Sequence, residues 1–120
     1  MRRVKSSSAS GTQAETIAAD YLASHGLVIV ARNYRTRQGE IDLVARDGDT
    51  LVFVEVRMRT RTDFGGAAAS VTTAKRERWI AAALGYLGEL GREPPCRFDA
   101  VLLDALDPAR VTWERDVVAT

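Results

Sequence analysis

The sequence predicts one α/β domain in which two helices pack on a mixed β-sheet. Three observations support this fold class. The length of 120 residues fits a single domain. Apolar runs rich in β-branched residues predict strands, and two longer stretches carry apolar side chains at helical spacing. The predicted order is a helix, three strands, a second helix and a fourth strand, with a further edge strand near the carboxyl end.

The first helix is expected near Gln13–His25. Thr12 and Glu15 match a capping box, with Thr12 as the N-cap and Glu15 at the third helical position. Gly26 is the expected stop signal for this helix. The apolar residues that recur at helical spacing are Ala14, Ile17, Ala18, Tyr21 and Leu22.

A short apolar strand is predicted at Leu27–Ala31, and a hairpin within 39–59 follows it. The two apolar runs of the hairpin flank residues 47–50, whose sequence Asp-Gly-Asp-Thr is a strong turn signal. Each run contains one carboxylate, Asp42 in the first and Glu55 in the second. A charged carboxylate inside an apolar run is costly to bury unless a cation meets it. The hairpin is therefore the part of the sequence that points most directly to a chemical site.

Two registers of this hairpin are compatible with its turn. If residues 48–49 form the loop, Asp42 lies opposite Glu55. If residues 47–48 form the loop, Asp42 lies diagonal to Glu55. Because side chains alternate along a strand, both registers place four charged residues on one face, namely Glu40, Asp42, Glu55 and Arg57.

Like charges placed opposite each other destabilise a sheet, and a divalent cation between them would reverse that penalty. Mg²⁺ is a hard cation that commonly uses one or two carboxylates and keeps several waters. The two carboxylates therefore predict a metal site on a rigid hairpin. The alternative is an ion-pair cluster on a solvated face, in which the partners of the carboxylates are Arg46, Arg57 and Arg59.

The second helix is expected near Val71–Leu90, after a polar loop at 58–70. Lys75 and Arg78 share a face near the start of this helix, and that face points away from its apolar stripe. The expected buried stripe consists of Ile80, Ala83, Leu84, Leu87 and Leu90, with Trp79 and Tyr86 at its margin.

Two further strands complete the predicted sheet. Phe98–Leu103 is almost continuously apolar, which is typical of a strand buried on both faces. Because a helical crossover precedes it, this strand is expected to run parallel to Leu51–Val56. Asp107-Pro108 predicts a turn, and residues 111–118 then predict a final edge strand.

Charge and composition limit the classes of function. The formal net charge is +1, so any contact with nucleic acid must come from local clustering of positive charge. The single cysteine, Cys96, excludes an intrachain disulfide and is in keeping with a cytoplasmic location. No apolar run reaches the length of a membrane span. Residues 1–10 are expected to form a flexible basic and serine-rich tail, and residues 11–120 the folded domain.

Positive charge does cluster near the hairpin. Arg32-Asn33-Tyr34-Arg35 places an aromatic ring between arginines. A guanidinium group can bind phosphate bidentately, and a tyrosine can stack on a base. The alternative is a solvated strand edge, which suits arginine equally well. The other positive residues close to the hairpin in sequence are Arg57, Arg59, Arg61, Lys75, Arg76 and Arg78.

An Asp on one strand followed by Glu-x-Lys on the next resembles the signature of the PD-(D/E)xK nuclease superfamily. Asp42 and Glu55-Val56-Arg57 stand in those places. The wider pattern is similar to the YraN family of bacterial endonuclease-like proteins, also described as uncharacterised protein family 0102. The resemblance covers roughly residues 11–104 and rests on GEIDLVA, LVFVEVR, Arg32-Asn33-Tyr34-Arg35, Phe64-Gly65, Lys75 and Arg97-Phe98-Asp99.

The resemblance implies a restriction-endonuclease-like αβββαβ core with a mixed sheet flanked by helices. It also implies a metal-dependent endonuclease that hydrolyses phosphodiester bonds in nucleic acid, with DNA, including branched DNA, as the expected substrate. Asp42 and Glu55 would then hold Mg²⁺ or Mn²⁺, and Glu15 on the first helix would complete the metal shell. Arg57 and Lys75 would stabilise charge on the phosphate. The residues expected to position the nucleic-acid backbone are Arg32, Arg35 and Arg59.

One position departs from the family pattern. The family usually has Lys where this chain has Arg57. Arginine remains protonated, so Arg57 can hold a phosphate or orient water but cannot act as a general base. This departure keeps two other hypotheses open. One is a nucleic-acid-binding module that no longer cuts, and the other is a protein-interaction domain whose carboxylates are merely ion-paired.

Overall fold

The computed structural model describes residues 9–58 and 73–118. The described residues leave out 1–8 of the predicted tail, 59–70 of the predicted loop, with Arg59, Phe64 and Gly65, and the predicted start of the second helix at Val71. The helices are α1, Ala9–Ser24, and α2, Thr73–Leu90. The strands are β1, Val28–Arg35; β2, Glu40–Asp47; β3, Thr50–Met58; β4, Cys96–Leu103; and β5, Val111–Glu114.

These strands form one mixed sheet in the order β1-β2-β3-β4-β5. The β3–β4 pair is parallel, and the other three neighbouring pairs are antiparallel. A parallel pair needs a long crossover connection, and α2 lies in the connection between β3 and β4. The α/β class, the order of the elements and the parallel pairing of the fourth strand are therefore confirmed.

The hairpin between β2 and β3 adopts the first of the two predicted registers. Asp47 pairs with Thr50, and the paired residues continue as far as Leu43 and Val54. Gly48 occupies the loop with φ +62°, the left-handed conformation that two-residue hairpin loops require. The register that would leave Asp42 diagonal to Glu55 is thereby excluded.

The two helices cover opposite faces of the sheet. On one face, Ala18 and Leu22 of α1 pack in a buried cluster with Leu43, Val52 and Val54. On the other face, α2 packs in a second cluster, whose buried members are Ile41, Val44, Leu51, Phe53, Trp79, Ala82 and Ala83. Successive residues of β3 alternate between these clusters, as a strand covered on both faces requires.

The start of α1 differs from the prediction. The helix begins at Ala9, so Thr12 lies inside it and is not the N-cap. The capping box is a local signal, and the small residues that precede Thr12 continue the helix instead of ending it. The end of the helix is close to the expected position, because Gly26 adopts φ +96° and the Leu27 N–H donates to the Leu22 carbonyl at 3.1 Å.

The buried stripe of α2 also differs from the prediction. Trp79, Ala82 and Ala83 are buried, whereas Leu84 is 63% exposed and Leu90 is 38% exposed. Both stripes satisfy helical spacing, so periodicity alone could not separate them. The two alanines let the helix approach the sheet closely. The aromatic pairs Trp79–Phe98, with ring centroids 5.2 Å apart, and Tyr86–Phe53, at 5.9 Å, then fill the interface edge to face.

The carboxyl-terminal strands agree with the prediction in position more than in length. The β4 strand is buried from Asp99 to Leu103, as expected for a strand covered on both faces. The β5 strand ends at Glu114 and does not reach residue 118. Asp116 adopts φ +57°, which ends extended structure, and the Val117 N–H returns to the Phe98 carbonyl at 2.7 Å. Among the described helices, neither is long and apolar enough to cross a membrane.

Candidate active site

Asp42 lies where β2 and β3 separate. The paired residues of the two strands end at Leu43 and Val54. Continuing that register by one residue places Asp42 opposite Glu55. At this point the Val56 main-chain N–H donates to Asp42 Oδ2 at 2.8 Å. A hydrogen bond to a charged carboxylate is stronger than a neutral one, so β3 holds the Asp42 side chain in a fixed position beside Glu55.

The alternation of side chains breaks down at this same point. Leu43 packs on the α1 side of the sheet, and Ile41, two residues away, packs on the α2 side. The adjacent strand shows the same reversal, because Asn33 adopts φ +52° between Arg32 and Tyr34. The prediction that four charged residues share one face assumed strict alternation, which β2 does not keep. The reversal lets the Asp42 carboxylate reach the neighbouring strand.

Glu55 faces α2 and meets a positive charge there. The Lys75 Nζ lies 2.5 Å from Glu55 Oε2, and the two side chains are 30% and 20% exposed respectively. Lys75 is in the first turn of α2 as described, and Glu55 follows the buried Phe53 on the same face of β3. The structure therefore brings Glu55 and Lys75 into contact from two different elements, and it ties Asp42 to the main chain one residue after Glu55.

The donor set is chemically suited to a hard cation. Two carboxylates on adjacent strands provide oxygen ligands of the kind that Mg²⁺ prefers, and an ammonium group already contacts one of them. Within residues 9–58 and 73–118, no group of three or more His, Cys, Asp or Glu side chains is placed to hold a metal ion. Glu15 is buried on α1, which packs on the face opposite to α2. Its place in a metal shell stays a prediction.

The two predicted backbone-positioning arginines that the structure describes, Arg32 and Arg35, have different partners. Arg32 donates through Nη2 to Thr16 Oγ1 at 3.1 Å and so ties β1 to α1. Arg35 forms an ion pair with Glu40 across β1 and β2, with Nε 3.1 Å from Oε1. Arg57 is half-buried on β3, two residues beyond Glu55. Among the described residues, Arg57 is the arginine that lies on the same strand as Glu55.

Sequence reasoning assigned no role to Asp99, which the structure shows to be the most enclosed carboxylate described. Its side chain has 0% exposure, and both oxygens accept hydrogen bonds. The donors are Arg97 Nε and Nη2 at 3.0 Å, Trp113 Nε1 at 2.9 Å and the Asp116 N–H at 2.9 Å. Arg97 also contacts Asp47 Oδ2 at 3.3 Å. The hydrogen bonds to Asp99 raise the pKa of the Arg97 guanidinium, which stays charged.

The signal for Asp99 was present in the sequence. A carboxylate inside an apolar strand with an arginine two residues away is the same pattern that singled out Asp42 and Glu55. Alternation along the strand places Arg97 and Asp99 on one face, and the structure confirms that they form an ion pair. The sequence pattern by itself does not distinguish a buried ion pair from a site that ligands can reach.

Two other ionisable groups have shifted pKa values. Burial raises the pKa of Tyr34, and the nearby Glu89 raises it further. The Tyr34 ring packs edge to face on Tyr86 with centroids 5.2 Å apart, so Tyr34 belongs to the α2-side core. Burial also raises the pKa of the Cys96 thiol, with a smaller contribution from Glu93. A raised pKa disfavours the thiolate, which is the nucleophilic form of cysteine.

The comparisons with known proteins give a consistent picture. A model of the uncharacterised protein family UPF0102 matches residues 14–103. The UPF0102 protein of Nitrosospira multiformis is 55% identical over 88% of this chain and 89% of its own length. The UPF0102 protein of Methylobacillus flagellatus is 53% identical over 88% of this chain and 93% of its own length. That of Cupriavidus pinatubonensis is 57% identical over 88% and 81% respectively.

Proposed function

The chain belongs to the uncharacterised protein family UPF0102, and we propose that it is a metal-dependent endonuclease-like enzyme that hydrolyses phosphodiester bonds in nucleic acid. DNA is the proposed substrate, and the cytoplasm is the proposed location. One observation carries the proposal. The Asp42 carboxylate accepts a hydrogen bond from the main chain of the adjacent strand, one residue after Glu55, and Lys75 of α2 contacts the Glu55 carboxylate.

Asp42 and Glu55 are the proposed ligands of Mg²⁺ or Mn²⁺. When bound, the ion would supply positive charge to the scissile phosphate and lower the pKa of a water molecule. The hydrogen bond from Val56 fixes the orientation of Asp42 before any ligand arrives. The partial exposure of Glu55 and Lys75 leaves the pair accessible to a phosphate from solvent. The site thus combines an Asp42 carboxylate of fixed orientation with a Glu55–Lys75 pair that solvent can reach.

Lys75 supports the proposal in a second way. In the superfamily pattern, the lysine of Glu-x-Lys stands two residues after the glutamate, where this chain has Arg57. Lys75 places an ammonium group on Glu55 from the neighbouring helix. Lysine is a compact point charge, whereas arginine carries a planar fork of donors that matches phosphate. Lys75 is therefore the proposed charge-stabilising cation, and Arg57 is the proposed phosphate ligand.

A nucleic-acid-binding module that does not cut is the second candidate. The presence of Arg57 favours it, because arginine binds phosphate well but cannot serve as a general base. This candidate uses the same positive groups near the carboxylates and differs in requiring no metal. The two candidates therefore make opposite predictions about cleavage and metal binding.

Incubation of the protein with branched, flapped and single-stranded DNA in Mg²⁺ or Mn²⁺ tests the proposal. We expect cleavage by the wild type, none by Asp42→Ala, and none in EDTA. Asp42→Asn is the matched variant, since its amide oxygen can still accept the Val56 N–H while the charge is lost. Salt-sensitive binding without cutting, in both the wild type and Arg57→Lys, would instead establish the binding module.

Metal binding can be measured separately from cleavage. A ligand that binds the folded state at about 100 times its dissociation constant raises the free energy of unfolding by roughly 2.7 kcal/mol. We expect Mn²⁺ to raise the melting temperature of the wild type and to leave that of Asp42→Ala unchanged. An equal rise in both proteins would show that the ion binds elsewhere.

A further inference from the structure

A cavity of about 280 Å³ lies between the β1–β2 connection and α2, and it reaches the first residue of β2. We call it the turn pocket. Its lining residues are Arg35, Thr36, Arg37, Gln38, Gly39, Glu40 and Arg78. The proposed endonuclease function assigns no role to this cavity, to Arg37 or to Arg78.

The wall of the turn pocket is rigid. Thr36 Oγ1 accepts hydrogen bonds from the Gln38 and Gly39 N–H groups, each at 3.1 Å, and the Thr36 N–H donates to the Gly39 carbonyl at 2.8 Å. Gly39 also approaches α2 so closely that a Cβ atom would lie 2.5 Å from the Arg78 carbonyl oxygen. Only glycine allows that approach. The turn is therefore fixed in shape. Because the Gln38 and Gly39 N–H groups already donate to Thr36, a ligand in the pocket would be bound by side chains.

The turn pocket carries excess positive charge. Three arginines and one glutamate line it. Glu40 forms an ion pair with Arg35. Across residues 9–58 and 73–118, neither Arg37 nor Arg78 forms an ion pair, and both side chains are exposed. Two guanidinium groups beside a small cavity favour an anion, and the guanidinium fork matches phosphate geometry.

Size and position narrow the identity of the anion. Cavities that enclose drug-sized molecules occupy roughly 300 to 1,000 Å³, so the turn pocket suits a phosphate group with part of its sugar. Glu40 and Asp42 are two strand residues apart, a distance of about 6.6 Å along β2. Arg78 lies one helical turn after Lys75. Successive phosphates of one DNA strand advance about 3.4 Å along the helix axis and are further apart in space, so the turn pocket lies within about two nucleotides of the carboxylates.

We propose that the turn pocket binds one backbone phosphate of the nucleic acid, within about two nucleotides of the cleavage position, through Arg37 and Arg78. This inference rests on the proposed function of the carboxylate site. It adds a phosphate subsite that sets where the substrate strand lies. Arg37 and Arg78 are positioning residues, since they act on binding and not on the reacting atoms.

The test measures binding by fluorescence anisotropy with a labelled DNA duplex in EDTA, so that no cleavage occurs. For Arg37→Gln/Arg78→Gln we expect about a tenfold loss of affinity and a decrease of about 0.9 in the slope of log affinity against log salt. The matched control is Arg92→Gln/Arg110→Gln, which removes the same charge from two exposed arginines elsewhere. We expect its affinity to stay within about twofold of wild type. Equal losses in both double variants would overturn the proposal.

Gly39→Ala tests the same pocket without changing any charge. The added methyl group must displace the turn from the Arg78 main chain, so we expect weaker DNA binding with an unchanged formal charge. Gly88→Ala is the matched control, because a Cβ atom there meets no atom within 4 Å. Equal affinity of the Gly39→Ala and Gly88→Ala variants would contradict the proposal. Displacement of the duplex by micromolar inorganic phosphate would also overturn it, because the ligand would then be the free ion.

Cleavage assays distinguish this inference from the proposed function. If the wild type cuts DNA and Arg37→Gln/Arg78→Gln binds it normally, the subsite fails while the enzyme stands. If no protein cuts and Arg37→Gln/Arg78→Gln alone loses affinity, the enzyme fails while the subsite stands.

Discussion

Two carboxylates on the sheet, Asp99 and Glu55, occupy opposite environments. Asp99 lies on the α1 side, has 0% exposure and accepts hydrogen bonds from a guanidinium, an indole and a main-chain N–H. Glu55 lies on the α2 side, its side chain is 20% exposed, and it forms an ion pair with Lys75. Both interrupt apolar strand sequences in the same way.

The two environments suit different roles, stability for Asp99 and ligand binding for Glu55. A buried carboxylate whose oxygens are all engaged fixes the elements around it, here β4, β5 and the turn at Asp116. A carboxylate at the solvent boundary keeps access to ligands and contributes little to folding. Substrate cannot reach Asp99, whereas the Glu55 carboxylate can bind a metal ion in place of Lys75. We therefore expect mutations at the two sites to affect different measurements.

Asp99→Ala should have the largest effect. It leaves the Arg97 guanidinium and the Trp113 indole without their acceptor, and breaking a buried ion pair costs about 3–5 kcal/mol of the free energy of unfolding. Urea unfolding measures the loss. Asp47→Ala is the control, because Asp47 contacts the same arginine at 3.3 Å while 41% exposed, and it should cost less than about 1 kcal/mol. Similar losses in the two variants would contradict this assignment. Asp99→Asn, which keeps an acceptor, covers the case in which Asp99→Ala does not fold.

Glu55→Gln should leave stability almost unchanged and remove activity. Its ion pair is partly exposed, so the free energy of unfolding should change by less than about 1 kcal/mol. The proposed cleavage should fall at least about 100-fold, equivalent to about 2.7 kcal/mol, because a metal ligand is lost. Urea unfolding and the cleavage assay are run on the same preparation. A stability loss equal to that of Asp99→Ala would show that Glu55 supports the fold and would contradict this assignment.

Lys75→Met should lower the proposed cleavage by about tenfold, or about 1.4 kcal/mol, because the ammonium group on Glu55 is removed. Adding Arg57→Lys to this variant should restore part of the activity, since it returns a lysine to the position that the superfamily pattern uses. Arg92→Met is the control for loss of one positive charge. Failure of Arg57→Lys to rescue would show that the two positions are not equivalent.

The alkylation of Cys96 should show the smallest effect. The residue is exposed at the start of β4, and partial burial of its thiol, with a smaller contribution from Glu93, raises the pKa of that thiol. Because the thiolate is the reactive form, alkylation by iodoacetamide should rise with pH at a midpoint above the ordinary value of about 8.5. Glu93→Gln should move that midpoint slightly downward. A wild-type midpoint at or below the ordinary value would contradict the prediction.

Local patterns predicted much of the fold. Apolar runs gave the strands, the Asp-Gly-Asp-Thr turn limited the hairpin to two registers, and the helical crossover gave the parallel β3–β4 pair. The carboxylates stood out because charge inside an apolar strand is costly. The buried stripe of α2 was not predictable, because two stripes satisfy the same spacing and the choice depends on aromatic partners from β3 and β4.

The sequence by itself determined the αβββαβ order, the family, and the fact that Asp42 and Glu55 lie on neighbouring strands, since these depend on spacing along the chain. Tertiary structure alone decided which cation meets Glu55, because Lys75 is 20 residues away and reaches it only through the packing of α2. It also decided that Asp99 is inaccessible to solvent and that the Asp42 carboxylate accepts the Val56 N–H. Those outcomes depend on distances between elements, which spacing along one chain does not contain.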